Sequence, residues 1–188
     1  MLRAAPLLAL AAAAFAACGA PTAITLPDLD GRVHQPTEPA RGQVHVLVFT
    51  SHECPIANAY APTLRTLASQ WQGQPVRLFL IHVDPDLAAA AAAAHARDYE
   101  LPGAILLDPR HQLATALGAT RTPEAVVLSG AGLVYRGRID DQWRELGARR
   151  PEASVHDLRA AVETALKGGV VPAPFPQAVG CLLPEPAR

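Results

Sequence analysis

Apolar runs alternate along the chain with stretches of helical spacing, and each block predicts an element. Pro21–Gln43 is rich in Pro, Thr, Asp and Gly; within it Leu26–Arg32 predicts a short edge strand and a turn signalled by Asp30-Gly31. Val44–Thr50 (VHVLVFT) is an apolar, β-branched run suited to a buried central strand. Over Pro55–Gln70 the spacing predicts a helix. Ile56, Tyr60, Leu64, Leu67 and Trp71 fall near one face, and Pro55 occupies the first turn, where its missing N–H costs nothing. Arg77–Val83 (RLFLIHV) predicts a second buried strand. Leu87–Tyr99 predicts a helix carrying the Ala88–Ala94 run, read as strong helix propensity with close packing.

A short strand is expected over Ala104–Leu107 and a short helix over His111–Leu117, stopped by Gly118. Glu124–Leu128 and Leu133–Gly137, joined by Ser129-Gly130-Ala131-Gly132, predict a hairpin. Ser154–Lys167 predicts a last helix with Ser154 as its N-cap and Gly168-Gly169 at its end. Val170–Arg188 holds five prolines and no periodicity, so it is expected to be an extended tail. The order β-α-β-α-β-α-β-β-α implies an α/β protein. Its mixed central sheet is covered by helices on both faces, a three-layer arrangement.

A length of 188 residues suits one ordinary domain with an appendage. The expected division is a signal segment over 1–18, a domain over 23–168 and the Pro-rich tail over 169–188. A formal net charge of -1 carries no basic surplus, so no nucleic-acid partner is expected. No Gly-rich dinucleotide signature follows the first strand, and no nucleophile elbow marks a Ser–His–Asp hydrolase. Met1–Ala17 has the form of a secretory signal: Arg3 is its positive start and Leu7–Phe15 its short apolar stretch. Two outcomes compete. Ala14-Phe15-Ala16 suits ordinary cleavage, whereas Phe15-Ala16-Ala17-Cys18 resembles a bacterial lipobox, which would make Cys18 a lipidation site and lipid anchor. Either predicts export, to the periplasm or to an outer-membrane-anchored lipoprotein, a compartment that permits disulfides.

The chemistry concentrates at Phe49-Thr50-Ser51-His52-Glu53-Cys54-Pro55. Cys54 follows a buried strand and begins a helix, where unpaired N–H groups favour an anion and lower a thiol's pKa. A thiolate so placed attacks disulfides, peroxides or electrophilic metals. The bland alternative is a buried, inert cysteine.

Val44–Cys54, the helix that follows and Thr120-Arg121-Thr122-Pro123-Glu124 resemble the thioredoxin-like superfamily in its redoxin branch, over about Ala23–Lys167. The resemblance implies a thioredoxin-like fold, Cys54 as the catalytic nucleophile and a cis Thr122-Pro123 bond that sets the Thr122 backbone beside the thiol as a platform for substrate, with Ser51 and Pro55 as further substrate-binding residues. Two departures stand out. Ala57 occupies the position of the second cysteine in Cys-x-x-Cys. Ser51 matches the hydroxyl of peroxiredoxins three residues before the thiol, yet Leu47 replaces their proline. Arg121 could correspond to the assisting arginine of that family, against the alternative of a solvated surface residue. Cys181 fills the gap left by Ala57: it is expected to resolve the mixed disulfide or sulfenic acid formed at Cys54, with a static Cys54–Cys181 disulfide and an unpaired tail cysteine as competing readings. Exported redoxin-like relatives resemble the chain further in Cys-Pro-x-x-Asn, Arg136–Asp141 and a C-terminal Gly-Cys.

The expectation is therefore an exported thiol-disulfide oxidoreductase or thiol-dependent antioxidant. Its partner would be a thiol or disulfide protein or a peroxide, with no cofactor and no resident metal. Two alternatives compete with it. One is a copper-handling chaperone of the same fold, holding a cuprous ion on Cys54, His52 and Cys181, although Asn58 stands where such proteins place a second cysteine. The other is a redox-inactive binding module. His82 is expected to be a plain strand histidine, Asp84-Pro85-Asp86 a turn and helix cap, and Arg138, Asp140, Asp141 and Trp143 a solvated loop, with Trp143 covering the site or meeting a partner as the alternative.

Overall fold

A computed structural model describes residues 23–188. The expected signal segment and Cys18 lie outside the described residues. The described residues begin with β1 (Leu26–Pro27) and β2 (Val33–His34), an antiparallel pair turning through Gly31 at φ 82°. β3 (Val44–Thr50) follows, buried at every position. The predicted Pro55–Gln70 helix is two helices, α1 (Pro55–Ala59) and α2 (Ala61–Gln70), meeting at Tyr60. Pro62 accounts for the break: it has no N–H to donate, and its ring would clash with the carbonyl four residues earlier.

Next come β4 (Val76–His82), α3 (Ala89–Asp98), β5 (Ala104–Leu107), α4 (Gln112–Leu117), β6 (Arg121–Thr122), β7 (Glu124–Ser129) and β8 (Gly132–Gly137). A small hairpin, β9 (Trp143–Glu145) with β10 (Ala148–Arg149), precedes α5 (Asp157–Leu166), and β11 (Cys181–Leu182) lies in the tail. In the alanine-rich α3 only Ala92 is buried, so propensity, not close packing, explains the run. Ser154 does not cap α5. His156 precedes the helix, and the Ser154 N–H and hydroxyl go instead to Asp141.

The central sheet has the order β5-β4-β3-β7-β8. β3 pairs with β4, and β4 with β5, in parallel; β7 is antiparallel to both β3 and β8. Alternation along β3 divides the core. Val44, Val46 and Val48 face a cluster completed by Ile56, Tyr60, Leu64 and Leu67 of α1–α2 and by Leu158 and Val162 of α5. Leu47 and Phe49 face the other cluster, with Phe79, Ile81, Leu106 and Leu113 of α4. Helices therefore lie on both faces of a mixed sheet, the thioredoxin-like three-layer fold.

The tail runs back over the domain. Val171 N–H donates to Val134 O (3.3 Å), Arg138 N–H to Pro176 O (3.1 Å), Leu183 N–H to Thr120 O (3.3 Å) and Ala187 N–H to Pro109 O (2.7 Å). Phe175 meets Tyr135 edge to face at 5.4 Å. At β11 the tail forms an antiparallel pair with β6, Cys181 opposite Thr122 and Leu182 opposite Arg121.

Candidate active site

The end of β3 delivers Ser51 and Cys54 to one end of the sheet, and the β5–β7 connection brings Thr122-Pro123 to the same place. The Thr122–Pro123 bond is cis. Cys54 is the N-cap of α1, its sulfur accepting the Ala57 N–H at 3.5 Å, and its thiol donates to Thr122 O at 3.1 Å. Because α1 is only five residues long, the stabilisation is this local N–H more than a long helix dipole. Cys54 is 1% exposed and Cys181 partly exposed; both are free thiols. Burial pushes the Cys54 thiol up. The Cys181 thiol, the Ala57 N–H and the otherwise unpartnered Thr122 hydroxyl outweigh it and hold Cys54 below its ordinary value. Burial and the adjoining Cys54 push Cys181 the other way, to about 11.

A cavity of about 700 Å³ opens over the pair, with Ser51, His52, Cys54, Asp84, Thr122 and Cys181 in its wall. Arg121 does not join it. Successive strand residues face opposite ways: Thr122 is buried beside Cys54, while Arg121 lines a separate depression with Glu124 and Arg136. Pro55 is exposed at the start of α1 and is not in the cavity wall.

Sequence reasoning missed the group behind Ser51. Asp84, expected as a helix cap, is 8% exposed and accepts from Ser51 Oγ (2.5 Å), the His52 N–H (3.1 Å) and the His82 ring (3.2 Å). Burial works against its ionisation, but these donors hold its carboxyl well below the usual range. His52 Nδ1 also lies 3.2 Å from Asp84 Oδ1. His95 extends the cluster, its ring 5.1 Å from His82, and bonds Asn58 at 2.9 Å. The one signal available was the density of His and Asp near two strand ends. Among the described residues, no group of three or more His, Cys, Asp or Glu side chains is arranged to hold a metal ion. The expected solvated loop is instead partly packed: Asp140 and Asp141 are buried, Asp140 accepting from Tyr60 (2.6 Å) and Asp141 binding Ser154 and Arg150, while Arg138 and Trp143 are half-buried, Trp143 against the core.

The AhpC/TSA family profile matches residues 19–139, well over half of the chain. The chain belongs to the AhpC/TSA family. This AhpC/TSA protein is thus a redoxin of the thioredoxin-like superfamily. No curated protein matches it. Among solved structures it is similar to a hypothetical protein of Sinorhizobium meliloti 1021, with 26% identity, a TM-score of 0.70, and 85% of this chain and 89% of that one covered. An uncharacterised conserved protein of Geobacillus kaustophilus is 24% identical at a TM-score of 0.68, over 86% of this chain and 88% of the other. A secreted disulfide oxidoreductase of Mycobacterium tuberculosis, homologous to DsbE of E. coli, shares the fold at 18% identity and a TM-score of 0.55, with 78% and 96% covered. Among the described residues of the AhpC/TSA protein, no helix is long and apolar enough to cross a membrane.

Proposed function

We propose that the chain is an exported thiol-disulfide oxidoreductase in which Cys54 attacks and Cys181 resolves. The observation that carries this reading is the pairing of β11 with β6, which holds the second thiol opposite Thr122, whose carbonyl is bonded to the first. The Cys54 thiolate attacks one sulfur of a substrate disulfide, forming a mixed disulfide and expelling one thiolate. Cys181 then gives up its proton and attacks the Cys54 sulfur, forming a Cys54–Cys181 bond and expelling the second thiolate. Substrate gains two electrons and two protons; the protein loses them, and an external thiol restores them. With a hydroperoxide the first step makes a sulfenic acid and an alcohol or water, and the second releases water. The AhpC/TSA membership and the oxidoreductases that share the fold support the reading. Export rests on the signal pattern of Met1–Ala17, and Cys18 is the proposed lipid anchor should the lipobox be used.

Thiol mapping by mass spectrometry tests the assignment. Treating the reduced protein with a small disulfide is expected to give a Cys54–Cys181 bond, and Cys181→Ser is expected to accumulate the Cys54 adduct. A Cys54 that stays unmodified, or never joins Cys181, overturns the reading.

A further inference from the structure

The edge of β6 is the natural place for an extended partner to dock beside Cys54, since a free strand edge accepts another strand by main-chain hydrogen bonds. Here the chain's own tail occupies it. β11 pairs with both residues of β6, and Leu183 N–H continues the ladder to Thr120 O. The fit at Gly180 is close: a Cβ there would stand 1.9 Å from the Thr122 carbonyl oxygen and 3.1 Å from Pro123 Cδ. Cys54, 1% exposed, is left reachable through a cavity of about 700 Å³, a volume of the order that holds small molecules, not a folded partner's chain.

We propose that the docked tail is a size filter, so that Cys54 reacts with small disulfides and hydroperoxides while β11 is in place, and a protein disulfide reaches it only through the minor fraction of molecules whose tail has left β6. This rests on the thiol reading above and assigns its substrate class. The rate with a protein disulfide scales with the open fraction, whereas the rate with a small oxidant does not.

The test uses full-length chains lacking the second thiol, so that the single step at Cys54 is read alone. Cys181→Ser keeps the tail docked. Gly180→Ala/Cys181→Ser places a methyl against Thr122, and Leu183→Pro/Cys181→Ser removes the N–H given to Thr120. The mass shift at Cys54 is followed with 2-hydroxyethyl disulfide as the small probe and insulin as the protein disulfide. Either undocking variant is expected to raise the insulin rate, relative to the small probe, by about tenfold or more over Cys181→Ser, as an open fraction of roughly a tenth or less requires. Cys181→Ser itself should disfavour insulin relative to an unhindered model thiol under the same conditions. An unchanged ratio in both undocking variants, or model-thiol selectivity in Cys181→Ser, overturns the filter while leaving the oxidoreductase reading in place. Failure of Cys54 to react with either probe in every variant removes that reading, and the filter with it.

Discussion

Proton affinity distinguishes the two sulfurs. Cys54 sits below its ordinary value and Cys181 is pushed up to about 11, so of the two Cys54 gives up its proton at the lower pH. Iodoacetamide is accordingly expected to label Cys54 first although Cys181 is the more exposed of the two, and in Cys54→Ser the labelling of Cys181 should begin at lower pH. Equal pH profiles for the two sulfurs in the wild-type chain would contradict this. His95 makes a second prediction at this scale. Burial, His82 and His52 hold its imidazole down to about 4, against the opposing pull of Asp84 and Asp98. An unfolded imidazole takes its proton near pH 6.5. Between those values the unfolded chain binds more protons, so stability falls as the pH drops from about 6.5 towards 4. His95→Gln should lose less stability than wild type between pH 7 and pH 5, read as the shift in urea midpoint.

Elements are joined by polar ties that local pattern does not announce. Tyr60, at the joint of α1 and α2, donates to the buried Asp140 beyond β8, and burial together with Asp140 pushes its phenol far up. Tyr60→Phe leaves Asp140 with the Gln142 N–H as its remaining bonded donor, and should cost about 1–3 kcal/mol in denaturant unfolding; a change within about 0.5 kcal/mol would mean that the tie is dispensable. The same distinction separates what the sequence displays from what it hides. β3 and β5 were legible to the residue because burial on both faces writes a continuous apolar run. The hairpin of β7 and β8 was legible from its glycines, and Cys54 from the strand-to-helix transition. The break at Tyr60 was written in Pro62 but masked by an unbroken apolar stripe. Ser154 had the chemistry of a cap, yet a carboxylate distant in sequence claimed it. Asp84 and β11 were hidden for a related reason: each acts through a partner far along the chain, and a two-residue strand has no period to detect.

At the scale of the molecule, two cores on either side of one sheet are bridged by a tail that touches both, Phe175 and Val179 on one and Leu183 on the other. That route gives the proposed sulfur pair a consequence in heat resistance. In a Cys-x-x-Cys protein an oxidised pair closes a ring of four residues and barely restrains the unfolded chain. A bond from Cys54 to Cys181 would enclose most of the domain in one covalent ring. Rings of order 100 residues remove enough freedom from the unfolded ensemble to be worth up to about 4–5 kcal/mol. For a chain of this size that corresponds to a rise on the order of 10 °C in melting temperature. Calorimetry of the oxidised and reduced forms should find the oxidised one melting higher, with the gap erased in Cys181→Ser. Each turnover would then tighten and slacken the whole fold, and heat tolerance would register the oxidant supply around the protein.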